Sequence, residues 1–211
     1  ESLVEELLIV FEVAKDNTDI RGIVLRGDGG VFCAGADLKK MKKITESGKE
    51  AKNQAYDLSM TIGKLLKVIN QAPQIVVSVT EGFALAGGFG IACASDFVIS
   101  LENTKFGLTE TKIGLTPSQI SKYVINKLGY SKARKMMLLG TLIDGLEASK
   151  IGLVDFVAKN NEVLEKKIKD FKSQVNDCSP TAVATTKKIL SFSQNIDSQR
   201  AADLFSDSII S

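Results

Sequence analysis

Histidine is absent from all 211 residues, and so is tryptophan. Without an imidazole the chain cannot build a Ser-His-Asp triad, a Cys-His dyad, a His-ligated zinc site or a histidine general base. Carboxylate, lysine and backbone chemistry remain. Cysteine is scarce: Cys33, Cys93 and Cys178 are odd in number, far apart and outside any CxxC pattern. They read as free thiols in a reducing compartment, filling core space as small hydrophobes. No apolar run is long enough to span a bilayer, because the weakly polar stretch 68–95 is broken by Pro73 and Glu81 and a spanning helix needs about 20 residues. Neither sign of charge dominates, since 27 Lys+Arg against 25 Asp+Glu leaves +2. That balance argues against nucleic-acid and membrane partners, and the lysine run Lys39, Lys40, Lys42, Lys43 has no interleaved aromatic residue.

What is present is a soluble, globular composition: 44% apolar, 25% charged, 17 glycines. Leu3, Leu7, Leu8, Phe11 and Val13 predict an amphipathic helix ending before Asp16. Short β-branched or apolar runs predict strands at 20–25, 74–79, 96–100, 105–107 and 153–157. Segment 39–48 reads as a mobile helix or loop, and helices are expected at 50–71, 117–128, 131–139 and 145–150. Beyond residue 158 the pattern is helical throughout, at 161–175, 180–192 and 196–210. Strands alternating with helices indicate α/β architecture, divided into a core over 1–158 and a helical region over 159–211. Neither Gly27-Asp-Gly-Gly30 nor Gly87-Gly-Phe-Gly90 completes a dinucleotide-binding GxGxxG, and there is no phosphate-binding Walker pattern. The first residue is Glu1, so missing N-terminal residues are expected, with room among them for a targeting segment.

Two small-residue junctions each follow a β-rich run and open a helix: Ala34-Gly35-Ala36-Asp37 and Ala86-Gly87-Gly88. Such junctions leave unpaired N–H groups at a helix N-terminus, where the peptide dipoles favour negative charge. Two of these groups aimed at one oxygen would form an oxyanion hole, and close packing around glycine is the alternative for either junction alone.

The segments Phe32-Cys-Ala-Gly-Ala-Asp-Leu38, Gly82-Phe-Ala-Leu-Ala-Gly-Gly88 and Phe106-Gly-Leu-Thr-Glu110 resemble, in that order, the enoyl-CoA hydratase/isomerase (crotonase) superfamily. The likeness continues through Gly114-Leu-Thr-Pro117, Leu128-Gly129, Ala133-Arg134 and Ala148-Ser-Lys-Ile-Gly-Leu-Val154, over nearly the whole chain, with the first strands and the extreme C-terminal tail lacking. The resemblance implies a crotonase-like spiral of repeated ββα units with a C-terminal helical oligomerisation region, assembled as a homotrimer or hexamer. It implies an acyl-CoA thioester substrate, with coenzyme A arriving as part of the substrate and with neither a separate cofactor nor a metal. By position, the amides of Ala36 and Gly87 would hold the thioester oxygen, and Glu110 would be the acid/base. Ala34, Asp37 and Leu38 would line the adenine pocket, and Lys39 would contact a phosphate. Cytoplasmic location is expected, or an organellar matrix if a targeting segment precedes Glu1.

One departure bears on the reaction. Family hydratases carry a first glutamate three residues after Gly87, and here that residue is Gly90. The Δ3,Δ2-enoyl-CoA isomerases of the family work with one glutamate at the Glu110 position. Dienoyl-CoA isomerases carry Asp where this chain has Ser118, and aromatic dehalogenases carry a His, so both lose weight. Segment 109–120 looks like the branch that hydrates branched glutaconyl-type CoA esters, in which Ser118 or Gln119 would place water or a substrate carboxylate; a helix-start serine beside an exposed glutamine is the alternative. Hydration of an unsaturated, branched acyl-CoA is therefore expected first and double-bond isomerisation next. A catalytically silent acyl-CoA-binding subunit stands third.

Overall fold

A computed structural model of the chain describes residues 2–35, 37–191, 199 and 203–205, with 2 and 38–40 described by their backbone alone. Helix α1 (Ser2–Ala14) buries Phe11 and Ala14. It is followed by β1 (Gly22–Arg26), α2 (Leu38–Glu46), α3 (Ala51–Gln71), β2 (Ile75–Thr80), β3 (Phe83–Leu85), α4 (Gly87–Ala94), β4 (Phe97–Leu101) and β5 (Lys105–Gly107). A 3-10 turn at Glu110–Ile113 leads to α5 (Ser118–Leu128), α6 (Tyr130–Leu139), β6 (Leu142–Ile143), α7 (Gly145–Lys150), β7 (Phe156–Ala158), α8 (Asn161–Asn176) and α9 (Pro180–Ser191).

The α/β class is as expected. Segment 39–48, read as helix or loop, is mostly helix α2. The strand expected at 153–157 is β7 at 156–158. Leu153 and Val154 are buried in the turn after α7, where both amides reach the carbonyl of Ala148, so their apolar character reflects burial and not a strand. Of the three cysteines only Cys93 is buried, and burial pushes its thiol well up; Cys33 is half-buried and Cys178 exposed, so a core role holds for one alone. The helix expected at 196–210 lies mostly outside the described residues; 199 and 203–205 are helical.

The strands sort into two sheets. One is wholly parallel, in order β1-β2-β4-β7, with Val24 opposite Val77, Val77 opposite Phe97 and Ile99 opposite Phe156. The other has order β3-β5-β6, parallel between β3 and β5 and antiparallel between β5 and β6. Cys33 adds a parallel bridge to Ala84 on the free side of β3. Successive units thus place their first strand in the large sheet and their second in the small one before a helix follows: β1, the Cys33 stub and α2; β2, β3 and α4; β4, β5 and α5. This is the ββα repeat.

Strand β2 is buried along Val76–Thr80, as the central strand of a parallel sheet covered on both faces must be. On one face Leu66, Ile69, Phe89, Phe106 and Val124 form the main core; on the other, Val77, Val79 and Ile99 meet Leu164, Ile168 and Phe171 of α8. The buried hydroxyl of Ser78 is satisfied by Ser95 at 2.8 Å. Helix α9 is tied down by Lys187, which donates to Asp96 Oδ2 and to the Gln74 carbonyl. Burial lowers the Lys187 pKa, and the Asp96 carboxylate opposes that shift.

Candidate active site

Three chain segments end side by side. The amide of Leu85 donates to the Cys33 carbonyl at 2.9 Å, and the amide of Ala86 donates to the Gly107 carbonyl at 2.9 Å. The Cys33 stub, β3 and β5 are therefore parallel neighbours whose carboxyl ends, leading to Ala34, Ala86 and Glu110, open on one edge. Carboxyl ends of parallel strands are where open α/β sheets place ligands.

At the middle segment the backbone turns sharply. Ala86 has φ 48° and ψ −115°, the one positive φ outside glycine among the described residues. An alanine held there costs about 1–3 kcal/mol, offset by its hydrogen bonds to Gly107 and, through its carbonyl, from the Gly90 amide. The turn starts α4 at Gly87, whose N–H has no intrahelical acceptor.

The glycines of this helix differ in what surrounds them. A Cβ built on Gly88 would come 2.6 Å from Cys33 Cβ, and one on Gly90 would come 2.9 Å from Ile120 Cγ1. A Cβ on Gly87 would meet nothing within 4 Å. Gly88 and Gly90 are thus packing glycines, whereas Gly87 borders open space with a helix N-terminal amide beside it. Gly35, at φ 107°, brings the first junction against the second, where an added Cβ would stand 3.6 Å from Ala86 Cβ. Ala36 lies outside the described residues, as do the side chains of Leu38 and Lys39. Ala34 is exposed beside Gly35, and exposed Asp37 precedes α2, its carbonyl accepting from Met41 at 3.0 Å.

Glu110 opens the 3-10 turn after β5 and is 9% exposed. Its Oε2 has no hydrogen-bond partner. Burial raises the carboxyl pKa above the ordinary carboxylate value, partly opposed by a hydrogen bond from its own backbone. The turn is fixed by Gly114 at φ 76° and by the Leu115 amide donating to the Glu110 carbonyl at 2.9 Å. A buried carboxyl without a partner is expensive to keep, and a carboxyl with a raised pKa is suited to giving and taking protons.

Ser118 is exposed at the start of α5, while Gln119 is half-buried against α3, its Nε2 donating to Ser59 Oγ at 3.3 Å. Between α3 and α5 runs a groove of about 590 Å³ that both residues line together with Lys64, Lys67 and Lys122. Apart from Ser118 and Gln119, nothing in the sequence marked that groove. The contacts of Ile120 with Gly90 and of Cys33 with Gly88 also escaped notice, although the spacing of three glycines in four residues was their trace. Lys42 pairs with Glu46 along α2 at 3.7 Å, as a solvated face would. Among the described residues no cluster of three or more Cys, Asp or Glu could hold a metal ion, and no helix is long and apolar enough to cross a membrane.

Comparison with known proteins places this arrangement. The model of the enoyl-CoA hydratase/isomerase family matches residues 1–207. The chain belongs to that family. A Thermus thermophilus protein named for enoyl-CoA hydratase is 33% identical across 87% of this chain and 71% of its own length. The human mitochondrial methylglutaconyl-CoA hydratase is 26% identical across 93% of this chain and 58% of its own length. Among solved structures, Pseudomonas aeruginosa AtuE superposes with a TM-score of 0.93 at 36% identity, covering all of this chain and 82% of that one.

Proposed function

We propose that the chain acts on an unsaturated acyl-CoA thioester, with one carboxylate, Glu110, carrying every proton transfer. The observation behind this is the buried, unpartnered Oε2 of Glu110 at the same edge as the open space beside Gly87. In this reading the amides of Gly87 and Ala36 hold the thioester oxygen and stabilise it as it becomes enolate-like, an effect worth about 10²–10³ in rate per donor. Coenzyme A enters with the substrate, its adenine near Ala34, Asp37 and Leu38 and a phosphate near Lys39. The C-terminal region 159–211 assembles the trimer or hexamer.

Hydration of a 2-enoyl ester is the reaction we put first. Water adds across C2=C3: its oxygen bonds to C3 as Glu110 takes one of its protons, and a proton from Glu110 reaches C2. The enoyl-CoA hydratase names among the relatives support this reading, and the methylglutaconyl-CoA hydratase supports a branched substrate. Isomerisation is the second reading, favoured by one contact: Ile120 fills the space a carboxylate at position 90 would need. A lone Glu110 would then move a proton between C2 and C4. The test is kcat against pH for wild type, Glu110→Asp and Glu110→Gln on paired 2-enoyl- and 3-enoyl-CoA esters. The proposal expects the Gln variant to lose about 10²–10⁴ in kcat. Wild-type kcat in Glu110→Gln would contradict it.

A further inference from the structure

Each ββα unit turns a corner between the large sheet and the small one, and the first two corners are tied together by charge. Arg26 is the last residue of β1, and Glu81 is the first residue after β2. Arg26 Nε donates to Glu81 Oε2 at 2.6 Å, and its Nη1 donates to Glu165 Oε1 of α8 at 2.6 Å. The Glu81 side chain is buried, whereas that of Glu165 is exposed. The corners also touch at Gly82, φ 61°, where an added Cβ would stand 2.6 Å from the Gly30 carbonyl oxygen.

This tie holds the start of the ladder that assembles the site. The Glu81 carbonyl accepts from the Phe32 amide at 3.0 Å, the Phe83 carbonyl from the Cys33 amide at 2.8 Å, and the Cys33 carbonyl from the Leu85 amide at 2.9 Å. These three bonds, around the isolated Cys33–Ala84 bridge, align the Ala34–Asp37 junction with Ala86–Gly88. So short a ladder fixes its last rung only as well as its first rung is fixed. Without the Arg26 guanidinium the Glu81 carboxylate would be a buried charge lacking its partner, a state costly enough to turn the side chain, and the peptide it belongs to, toward water.

We infer that Arg26 is a positioning residue: through Glu81 it fixes where the first junction stands against the second, and so the spacing of the two amides that receive the thioester oxygen. The inference rests on the acyl-CoA reading above. Arg26 lies at the amino ends of the segments whose carboxyl ends form the site, so it acts on the rate through geometry alone. Misplacement of a reacting group by about 1 Å can cost about 10²-fold.

The experiment follows, by difference infrared spectroscopy, the carbonyl band of bound butyryl-CoA carrying ¹³C at its carbonyl carbon, beside kcat on a 2-enoyl-CoA ester and a thermal melt. Butyryl-CoA lacks the double bond, so its carbonyl reports the two amides without turnover. Wild type is expected to shift the band below its frequency in the free ester, because hydrogen bonds to the oxygen weaken the C=O bond. Arg26→Ala should move the band back toward the free ester and lower kcat by about 10–10²-fold, and Arg26→Lys, which keeps a cation beside Glu81, should recover part of both. Arg26→Met/Glu81→Gln removes both charges and leaves no ion buried, so it should fold even where Arg26→Ala does not, and it should show the same two changes. Lys187→Ala is the control, since its ion pair with Asp96 lies at the opposite, amino ends of β2 and β4: it should melt below wild type with the band in its wild-type place. A wild-type band or a wild-type kcat in Arg26→Ala or in the double variant overturns the inference and leaves the acyl-CoA reading standing. An equal band shift in Lys187→Ala overturns it too, making the shift a mark of lost stability. Failure of butyryl-CoA to bind wild type, or a bound band at the free-ester frequency, contradicts the acyl-CoA reading itself, and the inference with it.

Discussion

Ile120 of α5 stands against the α-carbon of Gly90, so that a Cβ there would lie 2.9 Å from Ile120 Cγ1 and 3.1 Å from Cγ2. Glycine at this position is a packing requirement as well as the loss of a carboxylate. Restoring a glutamate alone therefore cannot restore a two-carboxylate site. Gly90→Glu is expected to lower stability by about 1–3 kcal/mol from overpacking, and Ile120→Ala in the same chain to recover part of that loss. Urea unfolding of the single and double variants checks this; a Gly90→Glu chain as stable as wild type would show that Ile120 yields freely.

The three glycines of α4 separate function from packing. Gly88→Ala drives a methyl into Cys33 and should cost about 1–3 kcal/mol, as should Gly90→Ala against Ile120. Gly87→Ala points into open space and should melt within about 1–2 °C of wild type while turnover falls about 10²-fold through bulk beside the amide. Thermal melts beside kcat/KM decide it, and unchanged turnover in Gly87→Ala would remove that amide from the site.

Glu110 is maintained at a cost in stability that should show in the pH dependence of folding. Its folded pKa lies above the ordinary value of 4.5, so the unfolded chain releases this proton first as pH rises. Below about pH 4.5 the group is neutral in both states and costs nothing on this account. Stability then falls as pH climbs through the raised folded pKa, and the full cost is present above it. Glu110→Gln removes this dependence, so the variant should melt above wild type at pH 8 with a difference that closes toward pH 4.5. A variant melting below wild type at pH 8 would mean that the ionised carboxylate has a favourable partner.

Lys187 fastens α9 to the sheet through Asp96 Oδ2 and the Gln74 carbonyl, with its side chain only 13% exposed. Lys187→Ala leaves the Asp96 carboxylate with the Val76 amide and should cost about 2–3 kcal/mol. Protease should cut first near residue 180 in this variant. Equal protease resistance would show that α9 is held by packing alone.

Much of the scaffold was legible because periodicity reports burial. The amphipathic repeat of α3 and the continuous apolar run of β2 mark a helix with one buried face and a strand with two. Leu153 and Val154 misled for the same reason, since apolar residues in a buried turn read like a strand. Strand β6, two residues long, carries too little pattern to register. The junctions at Ala34–Asp37 and Ala86–Gly88 came from small residues set between a β-rich run and a helix start, and the weight on Glu110 from motif order, both of which place residues along the chain and not across it. Local sequence therefore could not distinguish Gly87 from Gly88 and Gly90, because the atoms that separate them belong to Cys33 and Ile120. The lysines of the α3–α5 groove lie 55 or more residues apart across the two helices and share no motif, so only the fold brings them together.

The central claim is that one carboxylate performs the proton transfers of an acyl-CoA reaction, and mass-resolved turnover in H₂¹⁸O tests it most directly. Straight and branched 2-enoyl- and 3-enoyl-CoA esters would be supplied to wild type and to Glu110→Gln. The account predicts ¹⁸O at the β-carbon with wild type and none with the variant; under the second reading, enoyl isomers would interconvert without ¹⁸O, again only with wild type. Turnover by Glu110→Gln at the wild-type rate, with or without ¹⁸O, would contradict it.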